Sequence, residues 1–95
     1  MNIARDANLV KLAVDVERKI IACGCEFHID CADQLIEDGS RFKNIWGANV
    51  YPDTMQIDFV AFLNIRPERG NRAMHIQDET VREKVGEVLK ELLPI

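Results

Sequence analysis

The chain has 95 residues, of which 47% are hydrophobic and 29% charged, with a formal net charge of −4. That is enough for one globular domain with a modest core, and the acidic balance argues against broad electrostatic binding to nucleic acid or an anionic membrane. No apolar run approaches the ~20 residues of a membrane-spanning helix, and Met1–Asp6 lacks a basic stretch followed by an apolar one, so no export signal and a cytoplasmic chain are expected.

The first segment reads as a helix from about Ala7 to Cys23, because Leu9, Leu12, Ala13, Val16 and Ile20 fall at helical spacing. Asp6 would cap its start and Gly24 would end it. From Cys25 to Asp30 the pattern alternates: Cys25, Phe27 and Ile29 on one side, Glu26, His28 and Asp30 on the other, as in a short half-buried strand. A short helix, Cys31 to Asp38, would follow, capped by Asp30 and ended by Gly39.

Ile45 to Tyr51 reads as a second strand, with Trp46, Ala48 and Val50 on its apolar face and Gly47, Asn49 and Tyr51 on the other. Pro52-Asp53-Thr54 signals a turn. A third strand is expected from Gln56 to Arg66, ended by Pro67, and antiparallel to the second. A last helix, Glu79 to Leu93, would be capped by Asp78 and stopped by Pro94. The expected fold is therefore α+β and two-layered, in the order α-β-α-β-β-α. It has a three-stranded, mainly antiparallel or mixed sheet against helices.

In that register one sheet face collects Glu26, His28, Asp30, Asn49, Tyr51, Asp58, Asn64 and Arg66, with Val60 and Phe62 beside them. An open face seldom exposes such a pair, so a second copy of the chain or the last helix is expected to cover them, and a homodimer is the simplest answer. His28 between two carboxylates could act in acid/base chemistry, or simply sit exposed among charges. Trp46 is read as core before stacking platform.

The stretch Asn64-Ile65-Arg66-Pro67-Glu68-Arg69-Gly70-Asn71-Arg72 is the richest in binding chemistry. Guanidinium groups hold phosphate or carboxylate bidentately, while Gly70 and Asn71 suit exposed backbone N–H groups. The alternative is that the arginines pair with the acidic residues between Glu26 and Asp38. Cys23, Cys25, His28 and Cys31 supply metal-type ligands, but a strand would point Cys25 and His28 to opposite faces, so no metal is expected. The three cysteines are read as reduced thiols. No phosphate loop, dinucleotide fingerprint or nucleophile motif is present, and no cofactor is expected.

Val14-Asp15-Val16-Glu17, Glu26-Phe27-His28-Ile29-Asp30, Trp46-Gly47-Ala48-Asn49-Val50-Tyr51-Pro52 and, most specifically, Asn64-Ile65-Arg66-Pro67 with Gly70-Asn71-Arg72 resemble an uncharacterised family of small prokaryotic proteins, a domain of unknown function. The resemblance implies that His28, Trp46, Asn49, Asn64, Arg66, Asn71 and Arg72 belong to the family pattern, and implies no activity. The chain departs from that pattern after Arg72, where Ala73-Met74-His75 follows instead of another arginine. Cys25 and Cys31 likewise replace small residues.

Two functions fit these residues, with a structural metal-binding protein as a third alternative. The first is a binding module for an anionic ligand or protein partner, through Asn49, Asn64, Arg66, Asn71 and Arg72. The second is a hydrolase with His28 as base, Asp30 or Glu26 orienting it, and Arg66 stabilising negative charge. The second requires His28 and Arg66 to converge on one cleft.

Overall fold

The computed structural model describes residues 9–93. Four strands form one antiparallel sheet in the order β2-β1-β3-β4: β1 (Val10–Asp15), β2 (Ile20–Cys23), β3 (Ile45–Tyr51) and β4 (Gln56–Asp58). Two α-helices, α1 (His28–Glu37) and α2 (Glu79–Leu92), pack on it, and short 3-10 turns occupy Phe42–Asn44, Phe62–Asn64 and Pro67–Arg69. The class is α+β. The expected three-stranded sheet and α-β-α-β-β-α order are overturned: the described order is β-β-α-β-β-α, with no parallel pairing in the sheet.

The largest correction is at the start. The expected first helix is the β1–β2 hairpin, with Ala13 opposite Ala22 and Val14 opposite Ile21. β1 is a central strand covered on both faces. Leu12 and Val14 point toward α2, and Ala13 toward α1. A strand buried on both sides has apolar residues at consecutive positions, so it satisfies a helical template as well as a strand one. The hairpin turn contains no Gly or Pro. Lys19 takes φ +58° instead, and Asp15 Oδ1 accepts from the backbone N–H groups of Glu17 and Arg18 at 2.9 and 3.0 Å. The expected cap at Asp6 and stop at Pro94 lie outside the described residues.

The expected strand at Cys25–Asp30 is a loop running into α1. Phe27 is the helix N-cap residue and His28 the first helical one. The alternation did not mark a buried face, since Phe27 and Ile29 are both exposed. Cys25 and Cys31 form a disulfide, with Cα atoms 5.6 Å apart, so those two are not the free thiols expected; Cys23 is free and exposed. An odd cysteine count does not reveal a pairing that depends on where a loop meets a helix. Closing so short a loop restricts the unfolded chain modestly. Reduction with dithiothreitol is expected to lower stability by about 2 kcal/mol, read as a shift of the urea midpoint. The paired substitution Cys25→Ser with Cys31→Ser should do the same. An unchanged midpoint in both would mean that the bond does not contribute.

The expected long strand to Arg66 stops at Asp58. Beyond it Val60 makes an isolated bridge to His75, and the chain then turns twice in 3-10 geometry. The core consequently has two halves. Leu12, Val14, Trp46, Ala48 and Val50 pack with Val85, Val88 and Leu89 of α2. On the other face Ala13 and Ile45 meet Cys31, Ala32 and Leu35 of α1, with Ala61 and Leu63. The open polar face expected from the alternation is therefore covered by α1 and by the segment after β4. At the far end of α1, Arg18 donates to Ser40 Oγ and Asp38 Oδ2, both at 2.9 Å, which ties the β1–β2 turn to the end of the helix.

Candidate functional site

β3 pairs with β1 from Val50 to Ile45, but β4 covers its other edge only from Asn49 to Tyr51. The outward backbone groups of Gly47 and Ile45 need other partners. Side chains of the 64–72 segment supply them. Asn64 Oδ1 accepts from Gly47 N–H at 2.7 Å, and its Nδ2 donates to the carbonyls of Gly47, Phe59 and Met74, each at 3.1 Å. Arg66 Nη2 donates to Ile45 O, Nη1 to Phe42 O at 3.1 Å and Nε to Leu63 O at 3.1 Å. These two side chains stand where the missing part of β4 would be.

The Arg66 guanidinium also lies 4.4 Å from the ring centroids of both Phe42 and Trp46. Burial pushes its pKa down to about 10, with Arg69 adding to the shift and Glu68 opposing it; the group stays charged at neutral pH. Asn71 is equally committed. Its Nδ2 donates to the carbonyls of Asn64, Ala73 and His75, and its Oδ1 accepts from Gln77 N–H at 2.7 Å. Gly70 closes the loop in the left-handed region, at φ +81°. The motif thus builds a rigid wall, and only Arg69 and Arg72 carry guanidinium groups out of it.

Arg69 of that wall, together with the β1–β2 turn and the Lys43–Asn44 segment, faces α2 across a cleft of about 460 Å³. Trp46 and Val81 line its depth, and Lys19, Lys43, Arg69 and Lys84 surround it. Arg69 Nη1 is anchored on Lys43 O at 3.0 Å, which holds the two cationic side chains together. Among the described residues the only ion pair is Arg18–Asp38, so these four cations have no carboxylate partner. Glu17, Glu87 and Glu91 also line the cleft. Next to it, past Trp46, a second hollow is bounded by Gly70, Gln77 and the α2 cap Asp78.

A separate polar cluster lies under α1. His28 Nε2 is 2.8 Å from Asn49 Oδ1 and 3.1 Å from Ala48 O. Asn49 Nδ2 donates to Asp58 Oδ1 at 2.6 Å and to Val60 O at 2.9 Å, and the Tyr51 hydroxyl donates to Asp58 Oδ2 at 2.8 Å. The ring packs against Gly47, where a Cβ would come 2.6 Å from Ala61 Cβ and 3.3 Å from His28 Cδ2, so only glycine fits without displacing its neighbours. This buried and half-buried network is a candidate functional site in its own right. The hydrogen bond to Asp58 raises the Tyr51 pKa above its ordinary value of 10.0, helped by burial and by the carboxylate charge. A raised tyrosine pKa stabilises the fold fully below pH 10.0, and the contribution is lost as pH rises through the folded value. Asp58→Asn is expected to bring the titration back toward the ordinary value. The ultraviolet absorbance of tyrosinate reports it cleanly, because Tyr51 is the only tyrosine.

A family model described as a protein of unknown function, DUF5674, matches residues 2–92. The chain belongs to the DUF5674 family. No curated protein and no solved structure matches it. In this DUF5674 chain the structure brings together His28 of the first expected strand, Asn49 and Tyr51 of the second and Asp58 of the third, and leaves Glu26 and Asp30 exposed outside the network. The partner that orients His28 is Asn49, backed by Asp58, rather than Glu26 or Asp30. Arg66 does not line the cleft beside His28 and spends its donors on carbonyls, so the arrangement required for the hydrolase reading is not formed. Asn64 and Asn71 are fully engaged, and the Arg72 side chain is exposed.

The DUF5674 residues that sequence reasoning missed are Lys19, Lys43 and Lys84, which join Arg69 of the arginine stretch at the cleft. The four come from separate segments, and no spacing in the chain connects them. Among the described residues no group of His, Cys, Asp and Glu is placed to hold a metal ion. No helix among them is long and apolar enough to cross a membrane.

Proposed function

We propose that the protein is a small binding module that takes an anionic ligand in the cleft between the 64–72 wall and α2. The observation that carries this is the meeting of Lys19, Lys43, Arg69 and Lys84 around one cleft, none of them in an ion pair among the described residues although Glu17, Glu87 and Glu91 share the lining, in a chain whose net charge is −4. Unpaired cations held by a rigid frame attract and orient anions at little reorganisation cost. Asn64, Arg66 and Asn71 act as the frame, and Arg66 stacked on Trp46 fixes the depth of the cleft. Glu87 and Glu91, further along α2, would repel an extended polyanion, which suits a compact ligand better than nucleic acid. Arg72, exposed beyond the cleft, extends the cationic edge toward an acidic protein partner.

Pyrophosphate is a suitable probe. Calorimetric titration should show binding that weakens with added salt. The double substitution Lys43→Ala with Arg69→Ala should weaken it at least tenfold and leave the fold intact, since both side chains reach solvent. Arg72→Ala should leave pyrophosphate binding unchanged. No heat of binding at millimolar probe, or equal affinity in the double variant, would sink the proposal.

A further inference from the structure

The tautomer of His28 follows from its surroundings. Asn49 Nδ2 faces two oxygens that can only accept, Asp58 Oδ1 and Val60 O, so Asn49 must turn Oδ1 toward the ring. Nε2 then lies between two acceptors, Asn49 Oδ1 and Ala48 O, and must carry the hydrogen. In the neutral ring Nδ1 is left as a bare acceptor, with no partner among the described residues. The ring lines a cleft of about 380 Å³ whose walls are Phe27, Ile29, Val60, Phe62 and Met74. Phe62 is 78% exposed and Phe27 58%. The other polar side chain there, Lys11, is already turned aside: its Nζ donates to Glu26 O at 2.7 Å and lies 5.4 Å from the Phe27 ring centroid.

An apolar hollow with one fixed, unused acceptor is complementary to an apolar body bearing one donor. We propose that this cleft binds a small apolar ligand of the phenol or indole class, whose O–H or N–H donates to His28 Nδ1. The site lies on the α1 side of the sheet, away from the cationic cleft, and stands or falls independently of anion binding. Asp58 and Asn49 are positioning residues in it: they hold the ring in the tautomer that leaves Nδ1 free.

The test compares p-cresol with 4-methylanisole, its methyl ether, which has nearly the same apolar body but no donor. Titrations are followed by amide NMR of the intact chain. p-Cresol should shift the amides of Phe27, Ile29 and Phe62 and bind at least tenfold tighter than the ether. In His28→Phe that preference should vanish. Phe62→Ala, at an exposed position that cannot disturb the core, should weaken both probes and leave the preference intact, so the question stays answerable even if the histidine variant fails to fold. Equal affinity for the two probes in the wild type would overturn the proposal, as would shifts confined to other regions. It would also be overturned if the Phe62 signals moved with protein concentration alone and sedimentation showed a dimer, because a second copy would then fill the cleft.

Discussion

Asn64→Ala is expected to cost about 4 kcal/mol, a large share of the stability of a domain this small. Asn64 is fully buried, and its amide satisfies both outward backbone groups of Gly47 together with the carbonyls of Phe59 and Met74. Alanine leaves a buried N–H and several carbonyls without partners, and water cannot reach them. The variant should show a collapsed urea midpoint, or fail to fold. Asn64→Asp is informative beside it: it retains the acceptor for Gly47 N–H, but its carboxylate faces three carbonyls. It should therefore be as damaging as alanine or worse. A midpoint within about 1 kcal/mol of wild type for either variant would mean that the edge of β3 is satisfied in some other way.

Arg66→Ala is expected to cost about 3 kcal/mol. Arg66 is 3% exposed, stacks between Phe42 and Trp46, and donates to three carbonyls from two separate segments. Lysine should not rescue it, because an ammonium group cannot lie flat between two rings while donating along three fixed directions. Trp46 fluorescence offers a second readout, since the tryptophan is unique and loses its stacked cation. If Arg66→Ala kept full stability and lost only pyrophosphate binding, Arg66 would be a ligand contact and the frame role assigned to it would be wrong. The contrast with Arg72→Ala, at an exposed side chain, separates frame from surface within one short motif.

Asp15 shows that this fold also tolerates an imperfect site. Its Oδ1 closes the β1–β2 turn, while its Oδ2 is buried and has no hydrogen-bond partner. Such an orphan acceptor costs stability, and the turn it closes is what holds it there.

Much of the chain could be read without the fold. β3 alternates cleanly because it separates two different faces, with Trp46, Ala48 and Val50 toward α2 and Asn49 toward α1. α2 carries its own local signals: an apolar stripe at helical spacing and Asp78, which accepts from Thr80 N–H at 2.8 Å. The turn at Pro52–Thr54 follows from residue chemistry alone. The 64–72 stretch stood out by composition, and the structure commits its Asn64, Arg66 and Asn71 side chains to backbone groups. Local rules suffice wherever one face is apolar, the other polar, and the ends are capped.

The remainder was decided by tertiary structure. β1 looks helical because both of its faces are buried, and burial on two sides erases the period that distinguishes strand from helix. The alternation of Cys25 to Asp30 was an accident of a loop that a disulfide folds back onto α1. The arginine motif was legible as polar but not as inward-facing. Whether a guanidinium meets a ligand or a carbonyl depends on how far β4 extends along β3, and β4 ends at Asp58 because the chain there turns to let Asn64 and Arg66 complete the edge. The cationic cleft and the free nitrogen of His28 are likewise products of packing, assembled from residues that no local pattern joins.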